Sequence, residues 1–354
     1  MEGRKCMKVK HITVAFDEPS FFGWPANHGI WKFDDELLVG FEKGIHHYNG
    51  PDVHALDRTI PTIRMFARFR PETGWVHEFP EIPAIDYENK TRLPDVPADL
   101  LTPESGLYLM PSGWDGNVFT QLMVTNDKGK SWQGPFYIPD FGLVGVAART
   151  DYIVCDGYFL LAMTGVKADG LEGNTFAAKL TFDGKWEKLG MMGEDPPEGD
   201  FRIMPAIARL PDGSLLGIGR YASENEPGFT QLDVYLSNNE GRTWDYETKL
   251  TYVGNDMSGG SPPALCTLPD GTVLLAFFRR QSPHGLFITT TRDGKNWSEP
   301  QALRTDAVNT DIGYPRIAFF NNEVHMLYYY NLGEEAPRFV ADTVISDWET
   351  LIND

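Results

Sequence analysis

The chain has 354 residues, 42% hydrophobic and 13% aromatic, with 35 glycines and 25 prolines; this suits one large turn-rich β domain or two ordinary ones. A net charge of −19 argues against nucleic acid or an anionic membrane as the main partner, though not against one local basic pocket. The three cysteines, Cys6, Cys155 and Cys266, show neither a disulfide framework nor a zinc-ligand spacing and read as buried or free thiols.

Basic residues in Met1–Lys10 are not followed by an apolar run, so no signal peptide or membrane span is expected. The expected location is cytoplasmic, or secreted or periplasmic if a leader has been removed. Next comes a strand-like run, Ile12-Thr13-Val14-Ala15-Phe16, and then a ladder of turns. Asp34-Asp35 precedes Glu36–Val39, and Pro103–Gly106 precedes Leu107–Met110. Asp156-Gly157, Leu210-Pro211-Asp212-Gly213, Leu268-Pro269-Asp270-Gly271 and Asn321-Asn322 continue the series as hairpin turns between apolar runs. Residues 76–100 are longer than a plain connection, rich in Pro and Asp, and read as an ordered excursion on the rim.

A second ladder ends in tryptophan. Its fullest copies are Thr125-Asn126-Asp127-Lys128-Gly129-Lys130-Ser131-Trp132 and Ser237-Asn238-Asn239-Glu240-Gly241-Arg242-Thr243-Trp244. Asp or Asn can bond turn amides, and Gly accepts the positive φ that other residues avoid. Shorter copies end at Trp186 and Trp297, and worn ones at Trp75 and Trp348. The spacings between these six tryptophans are 57, 54, 58, 53 and 51 residues, the mark of a repeat architecture. Each repeat holds an early and a late turn, hence four strands. The expected fold is all-β, a six-bladed β-propeller of four-stranded antiparallel blades. It spans residues 1–354 as a single domain, its ring closed by the N-terminal strand.

Successive turns of a meander alternate ends, so both ladders lie on one face and the opposite face gathers residues toward the axis. Blade one sends Trp24, His28, Glu42, His54, Asp57 and Arg58 there; later blades send Trp114, Arg149, Arg202, Arg220, Arg279, Arg280, Asp311, Tyr314 and Arg316. Arginines suit bidentate recognition of carboxylate, sulfate or phosphate, although some can instead pair with Asp and Glu between blades. A phenol beside arginines loses its proton more readily and can act as nucleophile or base, which singles out Tyr314; the plainer reading is a tyrosine packed at a blade edge. Asp57, Asp52 and His54 share one loop, any of them an acid/base or a loop cap. The blade-one histidines show no metal-ligand spacing on a regular element, so neither metal nor other cofactor is expected.

The repeated S/T-x-D-x-G-x-S/T-W pattern resembles the Asp-box of the sialidase (neuraminidase) superfamily, a six-bladed propeller family also described by its BNR repeats. The resemblance implies an arginine triad for a sugar carboxylate, a tyrosine nucleophile with a glutamate partner, and an aspartate acid/base. Gly313-Tyr314-Pro315-Arg316 stands where the family places its tyrosine, and Arg220 and Arg279 resemble two of the triad. Phe201-Arg202-Ile203-Met204-Pro205 looks like the family's Phe-Arg-Ile-Pro motif but falls in blade four, and Asn27-His28-Gly29-Ile30 occupies the first-strand position without an arginine. Phe41-Glu42-Lys43-Gly44 resembles the segment that follows, and Asp52 or Asp57 would be the acid/base. The implied function is a sialidase-like exo-glycosidase that cleaves a terminal acidic sugar, with Tyr314 as nucleophile and Asp57 as acid/base. A uronate lyase, or another His/Tyr-dependent enzyme on acidic or sulfated polysaccharide, and a non-catalytic glycan-binding propeller stay open beside it.

Overall fold

The computed structural model describes residues 7–51, 53–84, 93–223, 225–226, 229–251 and 260–352. β1 (Val9–Ala15) does not open the first blade but pairs antiparallel with β24 (Phe339–Ile345), Val9 facing Ile345. Blade one follows as β2 (Ser20–Gly23), α1 (Pro25–His28), β3 (Gly29–Phe33), β4 (Glu36–Ile45), β5 (Ile63–Arg70) and β6 (Gly74–Glu78). Its inner edge is split: β4 pairs with β3 along its first half and with β2 along its second. The break falls where Pro25 opens the single helical turn and Trp24 takes a left-handed conformation at φ 60.

Blade two holds β7 (Gly106–Pro111), β8 (Thr120–Thr125) and β9 (Gln133–Tyr137). Blade three holds β10 (Tyr152–Cys155), β11 (Tyr158–Val166), β12 (Glu172–Thr181) and β13 (Trp186–Met191). Blade four holds β14 (Asp200–Arg209), β15 (Leu215–Ser223), β16 (Thr230–Ser237) and β17 (Asp245–Leu250). β18 (Ala264–Thr267), β19 (Val273–Arg279), β20 (Gly285–Thr291) and β21 (Gln301–Arg304) make blade five. β22 (Gly313–Phe320), β23 (Glu323–Tyr330), β24 and β1 make blade six. This is a six-bladed propeller. Among the described residues no helix is long and apolar enough to cross a membrane.

Blade two lacks an inner strand among the described residues: the segment before β7 runs past the outer strand instead, the Pro94 carbonyl accepting from the Tyr137 amide at 2.9 Å, and ends in a 3-10 turn at Ala98–Leu100. The exposed edge of β7 must find partners elsewhere, and side chains supply them. The Leu107 amide donates to the Tyr152 hydroxyl at 3.1 Å, the Leu109 amide to Thr150 Oγ1 at 3.0 Å, and the Leu107 carbonyl accepts from the Trp31 indole at 2.8 Å.

The tryptophan turns are built by local side-chain bonds. Asp127 accepts from the Ser131 amide at 3.0 Å and its hydroxyl at 2.6 Å, while Thr125 Oγ1 accepts from the Gly129 amide at 2.9 Å. Gly129 sits at φ 75, and a Cβ there would collide with Leu38 of the neighbouring blade. Blade four repeats the device with Asn239 in place of Asp, accepting from the Thr243 amide at 2.9 Å. Trp132 then packs between blades one and two, its ring 5.0 Å from Trp31 and 5.5 Å from Tyr108. The other seams are apolar too; Phe278 of blade five meets Tyr328 of blade six at 5.0 Å. Strand register sets the opposite end: Leu215 faces Ser237 beside the tryptophan turn, whereas Arg220 faces Leu232 toward the far face.

Candidate functional site

On that far face the strand ends enclose a cavity of about 620 Å³. Trp24 and Trp114 contribute aromatic walls, the first buried and the second exposed. The Trp24 ring lies 4.8 Å from Phe21 and meets His54 edge-on at 5.0 Å. Over the Trp114 ring, at 4.0 Å, lies the Arg149 guanidinium, which is also paired with the Glu172 carboxylate. The Glu172 amide donates to Asp115 at 2.8 Å, tying the Trp114 loop to the start of β12.

Tyr314 stands among arginines. It follows Gly313 at the head of β22, where a register shift interrupts the pairing with β23, and it holds φ 54. Its amide donates to Ser261 Oγ at 3.0 Å, fixing the bend. The Arg280 guanidinium lies 5.8 Å from the centre of its ring, held by the Ile312 carbonyl at 2.9 and 3.2 Å. Burial pushes the phenol's pKa upward, but the charges of Arg220, Arg280 and Arg149, with a hydrogen bond from Arg220, outweigh it. The net result lies below the ordinary phenol value. Burial first, then Arg220 and Arg316 as like charges, lower Arg149 to about 9, which leaves it cationic near neutrality.

Ring closure brings blade six against the blade-one loop. His54 and Tyr314 have ring centres 6.3 Å apart. His54 Nδ1 bonds Asp311 Oδ1 at 2.7 Å, and the other carboxylate oxygen accepts from the Ala55 amide at 2.9 Å and Arg338 Nε at 2.8 Å. The Tyr329 hydroxyl adds a bond to Oδ1 at 2.8 Å. Burial opposes ionisation of Asp311, but His54, Arg338 and the Ala55 amide together hold its carboxyl well below the usual range. With Nδ1 turned to Asp311, Nε2 is the ring nitrogen left for a ligand in the cavity.

Three carboxylates beside Asp115 line the wall, in different states of use. Glu42 accepts from Thr62 at 2.5 Å and lies 3.5 Å from His28 Nε2. Glu172 is held by Arg149. Asp200 accepts from Ser223 at 2.5 Å, from Asn225 at 3.0 Å and from the Tyr221 hydroxyl, which makes it a brace for the rim. Among the described residues no three His, Cys, Asp or Glu side chains are grouped to hold a metal ion.

Several expectations are corrected by this arrangement. Asp57 does not line the cavity; its carboxylate caps the Thr59 amide at 2.9 Å and hydroxyl at 2.6 Å. Asp52 and Cys6 lie outside the described residues. His28 is buried behind Glu42, with Nδ1 2.6 Å from the Tyr108 hydroxyl, and reaches the cavity only through Glu42. Arg202 pairs with Asp233 at 2.9 Å and with the Met192 and Glu194 carbonyls, holding blades three and four together. Arg279 turns away over the Phe287 ring, and its neighbour Arg280 faces Tyr314 instead. Arg316 lies beneath the cavity, bonded to Asp151 at 2.7 Å and the Ala26 carbonyl at 2.6 Å. Trp24, Trp114, Glu42, His54, Arg149, Arg220 and Tyr314 do meet in the cavity wall. Glu172, Asp200 and Phe201 join them without having been singled out for it; the Leu171-Glu172-Gly173 strand start was the only local signal for Glu172.

The model of the family described as BNR repeat-like domain matches residues 106–326. The chain matches no curated protein sequence. Among solved structures, a Dyadobacter fermentans protein of unknown function superposes with a TM-score of 0.72 at 18% identity, over 95% of this chain and 98% of that one. The α-L-arabinofuranosidase of Fusarium graminearum, solved with an iminosugar inhibitor, gives 0.61 at 14%, over 96% and 100%. The Trypanosoma rangeli sialidase, solved with the inhibitor DANA, gives 0.60 at 12%, over 92% of this chain and 55% of that one. At such identities the likeness is one of fold. With the family match over more than half its length, the chain belongs to the BNR repeat-like domain family, on a sialidase-like six-bladed propeller.

Proposed function

We propose that this protein is a glycoside hydrolase that removes a terminal acidic sugar from a glycan. The observation that carries the reading is the Tyr314 phenol at the cavity wall, hydrogen-bonded by Arg220 and flanked by Arg280 and Arg149. In the reaction, the phenolate oxygen attacks the anomeric carbon as the bond to the leaving oxygen breaks. Protonated His54 gives its Nε2 proton to that oxygen, and Asp311 keeps the ring in place. Water then attacks the glycosyl–tyrosine bond and passes its proton back to His54, and the phenolate is released. His54 thus takes the acid/base role expected of Asp57. The arginines offset the phenolate and the sugar's own carboxylate, and Trp24 and Trp114 offer apolar faces to the ring. The known activities of the Fusarium and Trypanosoma propellers support glycoside cleavage as the reaction class.

The His54–Tyr314 juxtaposition also favours a second reading, β-elimination on a uronate, in which arginine neutralises the carboxylate while the two rings move protons. Incubation with a panel of acidic oligosaccharides and their neutral analogues, with product mass spectrometry, separates the cases. Hydrolysis adds one water across the products, whereas elimination leaves an unsaturated, ultraviolet-absorbing sugar. Equal turnover of acidic and neutral substrates would overturn the acidic specificity, and binding without any product would leave a glycan-binding propeller.

A further inference from the structure

Below the large cavity, on the propeller axis, lies a small space of about 10 Å³, the size of one water molecule or monatomic ion. Arg149 and Arg316 enter its wall, and the rest is alanine, methionine and proline, including Ala162, Met204 and Pro205. Both arginines are more than nine-tenths buried. Their terminal nitrogens are engaged: Arg149 with Glu172 and the Ala147 carbonyl, Arg316 with Asp151 and the Ala26 carbonyl. The Nε of each has no hydrogen-bond partner among the described residues. An unmet buried donor on a charged group is costly, and the two arginines that each carry one line the same small space.

We infer that this axial space binds a single small monoanion of the chloride class, held by Nε–H of Arg149 and of Arg316. The species there must accept from two cationic donors. Proline, alanine and methionine contribute no strong side-chain acceptor, so only backbone carbonyls could take a water's two hydrogens. An anion has none to place, and it offsets the repulsion between two guanidiniums crowded at the axis. The space is too small for a sugar. Because Arg149 borders both cavities, the anion would fix one wall of the substrate site from below.

The test needs no substrate, so it stands apart from the proposed reaction. Crystals of the full chain soaked in bromide should give an anomalous peak between Arg149 and Arg316. In solution, chloride should raise the melting temperature saturably against sodium gluconate of equal ionic strength. At a hundredfold excess over Kd the rise should be about 4 °C. Ala162→Met, which fills the space and leaves both charges, should abolish the response. No bromide peak, or a melting temperature indifferent to the choice of anion, would overturn the inference, as would a full chloride response in folded Ala162→Met. If that variant does not fold, the bromide peak in the unaltered chain decides.

Discussion

Asp311→Asn preserves volume and exchanges one carboxylate oxygen for an amide NH₂. Four donors converge on Asp311: His54 Nδ1 and the Tyr329 hydroxyl on one oxygen, the Ala55 amide and Arg338 Nε on the other. The asparagine oxygen can serve one pair, but its NH₂ must then face the other pair, donor against donor. If it faces Arg338 it sets donor against donor there, and in either orientation that guanidinium, with no exposed surface, loses its counter-charge. Leaving one member of a buried pair alone costs about 3–5 kcal/mol. An unfolding entropy of roughly 2.1 cal/mol/K per residue, over 354 residues, gives about 0.7 kcal/mol/K. The melting temperature should therefore fall by about 4–7 °C. If the NH₂ faces His54 instead, the ring loses its anchor, and turnover should fall by about 10²–10⁴-fold, as when the buried carboxylate of a catalytic triad is amidated. Because the folded-state pKa of Asp311 is depressed, its stabilisation is present above the ordinary carboxylate range and is lost as pH falls through the folded value. The gap between variant and wild type should be full at neutral pH and shrink only in acid, below about pH 4. Calorimetry at neutral and acid pH, with steady-state kinetics, checks both arms. A variant that melts with the wild type at neutral pH and turns over normally would refute the claim that this carboxylate organises the cavity.

Tyr314→Phe removes the hydroxyl and keeps the ring; the expected result is an unchanged melting temperature, near-normal ligand affinity by calorimetry and a turnover loss of at least about 10²-fold. The depressed Tyr314 phenol should appear in ultraviolet titration as one tyrosine ionising below about pH 10, absent in Tyr314→Phe. Arg220→Met, by removing a positive charge, should move that titration upward. Arg220→Met should also weaken binding of an acidic sugar by about 2–5 kcal/mol while barely changing that of its neutral analogue, as titration calorimetry with the pair would read. Trp132→Ala should cost about 3–5 kcal/mol, because the ring is 4% exposed and packed on Trp31 and Tyr108. Its KM should not change, since the seam lies away from the cavity.

The propeller was legible because its repeat is written in local chemistry. The Asp127, Gly129 and Ser131 contacts close within five residues, so the sequence pattern and the structure of the turn are the same fact. The site is less legible, because what positions its side chains is not local. Arg279 and Arg280 are adjacent, and a shift of one residue sends a side chain to the other face of a strand. β19 is buried on both faces up to its last residue, so no polar–apolar alternation marks which arginine points to the axis. Asp57 looked like an acid on its loop, yet its partner is Thr59, two residues away, whereas the carboxylate that serves His54 comes from Asp311, 257 residues away. Only closing the ring joins them. The same closure puts Arg316 on the axis with Asp151, 165 residues distant, and so takes it out of the substrate wall. The pattern is physical: a side chain satisfied by its own turn can be read from the sequence. One satisfied across the axis is chosen by the blade that faces it.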